Sequence, residues 1–217
     1  TQGLFATLII GTMIQQIGLL IGGSTGNVIY LLGKAAAALT SAGIGVGVAV
    51  KYGESPLVTV SAAVAAMVGG YAGKITGGTF FVDGNAVLAG PGEPLGAFIA
   101  AFAGITCGHL VSGKTKVDII VTPVITIGAG SVVGLLVGPP ISQMMTGLGS
   151  IINWATEQRP FIMGIVVSVV MGMVLTLPIS SAALGIILNL SGLAAGAATI
   201  GCCCNMVGFA VASYREN

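Results

Sequence analysis

The chain of 217 residues is 55% hydrophobic and 6% charged, with seven basic and six acidic side chains and a formal net charge of +1. A water-soluble domain carries about a quarter charged residues, so this composition excludes a soluble globular fold. The near-zero net charge also excludes a basic stripe able to neutralise phosphates, and with it nucleic acid as a partner.

A helix that crosses about 30 Å of hydrocarbon needs roughly 20 apolar residues, and a charge at its centre is costly. Stretches free of Asp, Glu, Lys and Arg run over residues 1–33, 35–50, 55–73, 94–112, 119–156 and 160–214. They predict membrane segments at 4–21, 35–50, 56–72, 95–111, 119–137 and 161–177, with one or two more between 181 and 213. The expected fold is all-α, a polytopic helical membrane protein of about seven or eight membrane segments with broken or re-entrant helices. It forms a single domain over residues 1–217. The chain begins at Thr1 with no basic leader and no small-residue cleavage site, so its first apolar stretch is not read as a signal peptide. It is read as a piece of a longer chain.

Within these windows lie many of the 36 glycines, for example Gly43, Gly45 and Gly47, or Gly192, Gly196 and Gly201. Small residues let helix backbones approach closely in lipid, and they also permit unwinding where backbone lines a cavity; both readings stay open. Pro56 to Thr59, Pro123 to Thr126 and Pro178 to Ser181 repeat a proline followed three residues later by a hydroxyl. Such interrupted apolar repeats point to transporter architecture. After Pro139 and Pro140, the segment 141–155 is expected to lie along the membrane surface, anchored by Trp154. Lys51, Lys114 and Lys116 fall on one side of the predicted spans, and Lys34, Lys74 and Arg159 on the other, so positive charge does not assign sidedness.

Few residues can carry chemistry in such a chain. Glu93 stands between Pro91-Gly92 and Pro94, where the backbone cannot continue a regular helix; a carboxylate fixed there can accept hydrogen bonds from hydroxyls or act as a base. His109, the one histidine, sits at a depth where an ionisable side chain must be paired or face water. Ser180 and Ser181 follow Pro178, and Asn205 lies deep in the last window. These five are the candidate solute contacts, against the plainer alternatives of a solvated loop charge and of hydrogen bonds between helices. Lys74, Asp83, Lys114, Lys116 and Asp118 read as solvated loop charges. Cys107 and the run Cys202, Cys203 and Cys204 read as small packing residues, and neither a metal nor a cofactor is expected. No phosphate-cradling loop, HExxH helix, paired CxxC or nucleophile elbow occurs, so no stand-alone catalytic residue is assigned.

The run Lys116-Val-Asp-Ile-Ile-Val-Thr-Pro123-Val-Ile-Thr-Ile-Gly, with Val137-Gly-Pro-Pro-Ile-Ser142, resembles the membrane (IIC) subunits of the bacterial phosphoenolpyruvate-dependent sugar phosphotransferase system. Leu175-Thr-Leu-Pro-Ile-Ser-Ser-Ala-Ala183, Ser191 to Thr199 and Met206 to Val211 extend the resemblance over most of the chain from about Gly90. Within that family it is similar to the branch of PfoR-type membrane regulators. The resemblance implies a homodimeric sugar permease of the bacterial inner membrane, whose solute is phosphorylated by a separate IIB subunit. It also implies relatives that continue past Asn217. Glucose- and lactose-type subunits carry a Gly-Ile-Thr-Glu motif, whereas this chain has Gly104-Ile-Thr-Cys107. Either Glu93 supplies the missing carboxylate, or the solute is bound without group transfer. A sensor without flux and a small-solute channel are the rival expectations.

Overall fold

A computed structural model describes residues 2–82, 85–86, 92–114, 117–157, 160–174 and 192–216. The chain forms two compact units, Thr1–Ser142 and Gln143–Asn217.

In the first unit, α1 (Gln2–Leu4), a π-helical stretch (Phe5–Ile9) and α2 (Ile10–Ile21) run in succession. Gly22 and Gly23, at φ of 65° and 66°, turn the chain into α3 (Gly23–Ala38). No side chain adopts that backbone as readily as glycine. The two helices close on small residues: a Cβ on Gly26 would lie 2.5 Å from Gly18 O, and one on Gly33 would lie 2.5 Å from Gly11 O. At Leu39 the chain bends by 52° into α4 (Thr40–Lys51). There follow α5 (Pro56–Gly70), α6 (Ala72–Thr76), and a two-residue ladder of β1 (Phe81–Val82) on β2 (Asn85–Ala86), with Phe81 opposite Ala86. Then come α7 (Pro94–Val111) and α8 (Asp118–Glu157), of which the residues up to Ser142 belong to this unit.

The core of this unit lies where α4, α5 and α7 meet, around Ile44, Val48, Val58, Ala62, Ala66, Ala97, Ala101 and Ile105. Lipid is as apolar as leucine, so association here depends on close contact of small side chains rather than on expulsion of water. Gly69 faces Gly96 across α5 and α7, and α8 lays Gly130 and Gly134 over both. The outer faces are correspondingly apolar: Leu20 is 87% and Leu136 71% exposed.

In the second unit α9 (Pro160–Val174) packs on α10 (Gly192–Glu216). Ser168 Oγ donates to Ala197 O at 2.7 Å, and Asn205 Nδ2 donates to Gly172 O, one turn further along α9 and about two turns further along α10. Contacts advancing together in this way show that α9 and α10 run parallel.

Helices α7, α8 over Asp118–Met144 and α10 over Gly192–Ala212 are long and apolar enough to cross a membrane, and α3 with α4 makes a broken span. Ala6–Ile21, Pro56–Gly70 and Pro160–Val174 are shorter apolar helices. Two details depart from the sequence reading. Helix α3 covers residues left outside the predicted spans, because Lys34 is exposed and a lysine stem lets its ammonium reach water without ending a helix. Helix α8 continues through Pro123, Pro139 and Pro140 instead of stopping for a separate surface segment at 141–155. Proline removes one backbone donor and bends a helix, and neighbouring helices tolerate the defect.

Candidate functional site

Three helix breaks of the first unit converge at one end of its core, and the continuous helix α8 passes beside them. Helix α4 starts after the bend at Leu39 with Thr40 and Ser41, both fully buried, and Thr40 Oγ1 donates to Ala37 O at 2.6 Å. Helix α5 stops at Gly70, and the next residue, Tyr71, is 1% exposed; its hydroxyl donates to Ala38 O at 3.2 Å and so ties the end of α5 to the end of α3. Helix α7 starts at Pro94, and the Glu93 N–H donates to Gly70 O at 2.7 Å. Ser142 of α8 arrives beside Gly73, where a Cβ would lie 2.8 Å from its Oγ. Glycine makes these approaches possible: a Cβ on Gly92 would lie 2.5 Å from Ser41 Oγ and 3.3 Å from the Tyr71 ring.

Glu93 is the N-cap residue of α7, yet its side chain does not cap the helix. Lys74 Nζ lies 5.3 Å from the centroid of the Tyr71 ring, within cation–π range. Burial pushes the Glu93 carboxyl above the usual carboxylate range, and the Lys74 charge pulls it partly back. Carboxylate, ammonium, phenol and two serine hydroxyls thus gather at one set of helix ends. Of these, the carboxylate and the ammonium are only partly buried and can accept from and donate to the hydroxyls of a polyhydroxy solute, whereas Ser41 and the Tyr71 phenol are enclosed by the helix ends.

His109 lies elsewhere. It is sixteen residues along α7 from Glu93, about 24 Å at 1.5 Å per residue, at the opposite end of the core. There its Nδ1 pairs with Glu54 Oε1 at 2.9 Å, the imidazole 71% exposed and the carboxylate side chain 6%. Around that pair Ser55 and Ser112 sit 3.4 Å apart, and Asp118 Oδ1 accepts from the Gly113 N–H at 3.0 Å and from Thr122. One small solute cannot touch Glu93 and His109 at once. Asn205 belongs to the second unit, where its amide ties α10 to α9. Ser180 and Ser181 lie outside the described residues. The string Gly104-Ile-Thr-Cys107 is a packing seam: a Cβ on Gly104 would lie 2.7 Å from Thr126 O, and Gly108 presses on the Thr126 hydroxyl.

Ser41, Tyr71, Lys74, Ser142 and Glu54 were not among the sequence candidates. Tyr71 had a signal, an aromatic with a polar tip directly after Gly69-Gly70 at the end of an apolar window. Glu54 had one too, because Gly53-Glu54-Ser55-Pro56 reads as a turn, a cap and a helix start.

Long apolar helices joined through glycine and alanine, with leucine, isoleucine and valine on their outer faces, define an integral, multi-pass helical membrane protein. The family described as Phosphotransferase system, EIIC matches residues 1–217, and the chain belongs to it. It is therefore a sugar permease membrane subunit of the bacterial inner membrane. No curated protein and no solved structure matches it.

Proposed function

We propose that the Glu93 end of the first unit is the solute site of a IIC permease that hands its sugar to a phosphorylated IIB subunit. The observation that carries this is a carboxylate, not used to cap its own helix, held where three helix breaks meet and within the field of the Lys74 charge. A carboxylate in that state accepts hydrogen bonds from sugar hydroxyls, and its raised proton affinity suits it to take a proton from the hydroxyl that receives the phosphoryl group. His109 would meet the solute separately, at the far mouth of the same helices. Ser180, Ser181 and Asn205 are proposed as further solute contacts in their own right, and the subunit is proposed to work as a homodimer.

A second reading is a sensor of the PfoR type, which binds a solute and signals to a partner without flux. Cys107 favours it, since that position offers no carboxylate and the neighbouring Gly104 and Gly108 pack against α8. The purified chain in proteoliposomes, given labelled hexoses, hexitols and ascorbate with and without a phosphorylated IIB extract, separates the two. The permease reading expects uptake that depends on IIB and falls more than tenfold with Glu93→Gln. Binding without uptake in every condition would refute it in favour of the sensor.

A further inference from the structure

A carboxylate can meet a solute in one geometry only if its backbone is held, and at Glu93 most of that hold is backbone. The Glu93 N–H donates to Gly70 O at 2.7 Å, and its carbonyl accepts from the Ala97 N–H at 3.0 Å in the first turn of α7. The weak link is the residue before it. Gly92 sits at φ 73°, a conformation that glycine adopts readily but that nothing in glycine itself enforces. Packing must keep such a residue in place, and its nearest side-chain neighbours come from two other helix ends. A Cβ on Gly92 would lie 2.5 Å from Ser41 Oγ, in the first turn of α4, and 3.3 Å from Cε2 of Tyr71, at the end of α5.

Tyr71 is suited to that task because other elements fix it. It follows Gly70, whose carbonyl holds the Glu93 N–H, so one piece of chain grips the glutamate by its backbone and the glycine by a ring. The tyrosine is 1% exposed and packs on Phe80 at 5.5 Å between ring centroids. Its hydroxyl donates to Ala38 O at 3.2 Å. Ala38 is the last residue of α3, directly before the 52° bend, where a helix leaves carbonyls without partners of its own. A single side chain thus reaches from the α3–α4 bend to the backbone that carries the carboxylate.

The geometry points to Tyr71 as a positioning residue that acts on the solute through Glu93: its ring sets Gly92, and with it the carboxylate, and its hydroxyl ties that setting to the bend between α3 and α4. This rests on the reading of the Glu93 end as the solute site. A tyrosine that only fills space at a helix end would stabilise the fold and leave solute affinity to other groups. A tyrosine that positions Glu93 changes affinity only while the carboxylate is there to be positioned.

The test is a double-mutant cycle on the whole chain in lipid nanodiscs, with glucose, galactose, glucitol and ascorbate as probes and saturation-transfer NMR to follow affinities into the millimolar range. Glu93→Gln is expected to weaken the bound probe more than tenfold. Tyr71→Leu, which removes ring and hydroxyl, is expected to cost about as much, and Tyr71→Phe, which keeps the ring, about threefold. In the Glu93→Gln chain neither tyrosine variant is expected to weaken the probe further. If the tyrosine variants weaken it by the same factor with and without the carboxylate, or leave native affinity unchanged, the positioning role is refuted and the solute site stands. If Glu93→Gln leaves affinity unchanged, or the native protein binds none of the four probes, the solute site is refuted and the inference falls with it. Circular dichroism and size exclusion show which variants keep the native fold, and Tyr71→Phe alone completes the cycle should Tyr71→Leu fail to fold.

Discussion

The sharpest packing prediction concerns Gly69, where three helices meet directly behind the Glu93 end. A Cβ on Gly69 would lie 2.5 Å from Gly96 O and press on the Ala100 methyl, while the Cβ position of Gly134 from α8 already lies 2.8 Å from Gly69 Cα. Two of these neighbours are backbone, which cannot turn aside as a flexible side chain does. Gly69→Ala therefore drives α5 from α7, and the bond from Glu93 N–H to Gly70 O, one residue away, loosens with it. Overpacking of a tight core costs about 1–3 kcal/mol, and a weakened backbone hydrogen bond adds about 1 kcal/mol. Gly128→Ala is the matched control, since its Cβ meets nothing within 4 Å and it gains up to about 1 kcal/mol of helix propensity. Reversible unfolding in mixed detergent micelles should place Gly69→Ala about 2–4 kcal/mol below the native protein and Gly128→Ala at or slightly above it. Equal stability of the two variants would refute the close three-helix junction.

The remaining predictions concern the other polar groups. His109→Ala leaves the buried Glu54 carboxylate without its imidazole and should cost about 1–2 kcal/mol in the same assay, with solute affinity at the Glu93 end unchanged; a loss of affinity matching that of Glu93→Gln would show that the two ends act as one site. Asn205→Leu removes the amide that bridges α10 to Gly172, and a hydrogen bond between membrane helices is worth about 0.6–1.7 kcal/mol, so the loss should fall in that range in the unfolding assay. Between the ordinary carboxylate range and the raised value of Glu93, the folded chain holds a proton that the unfolded chain has released. Stability should therefore fall as pH rises through that window, and Glu93→Gln should flatten this slope in unfolding curves taken as a function of pH.

What the sequence disclosed follows from which forces act locally. Glu93 is legible because prolines on both sides and glycines around it stop any regular helix, which leaves a carboxylate in fixed backbone. The class of fold is legible for the same kind of reason, since thirteen ionisable acids and bases cannot solvate the surface of 217 residues. Ser41, Tyr71 and Ser142 are not legible, because each becomes interesting only through partners distant in sequence: Ser41 through Gly70 and Gly92, Tyr71 through Ala38, Ser142 through Gly73. His109 is misleading for the opposite reason. Its scarcity draws attention, whereas its partner Glu54 is an ordinary turn residue that only the fold brings to 2.9 Å.

The two ends of the first unit also differ in how they treat their charges. At the His109 end, Ser55 caps α5, Asp118 takes the Gly113 N–H and Glu54 holds the imidazole, so the ionisable groups serve helix ends and one another. At the other end, Glu93 occupies a position where the dipole of α7 and the Lys74 charge both favour an ionised carboxylate. Burial nevertheless prevails and raises its proton affinity. A fold that needed Glu93 only as a helix cap would have used it as one, and kept it low. Holding a carboxylate against that cost has a physical rationale if another set of hydroxyl donors replaces the lost water, and a sugar supplies them in a compact, neutral form.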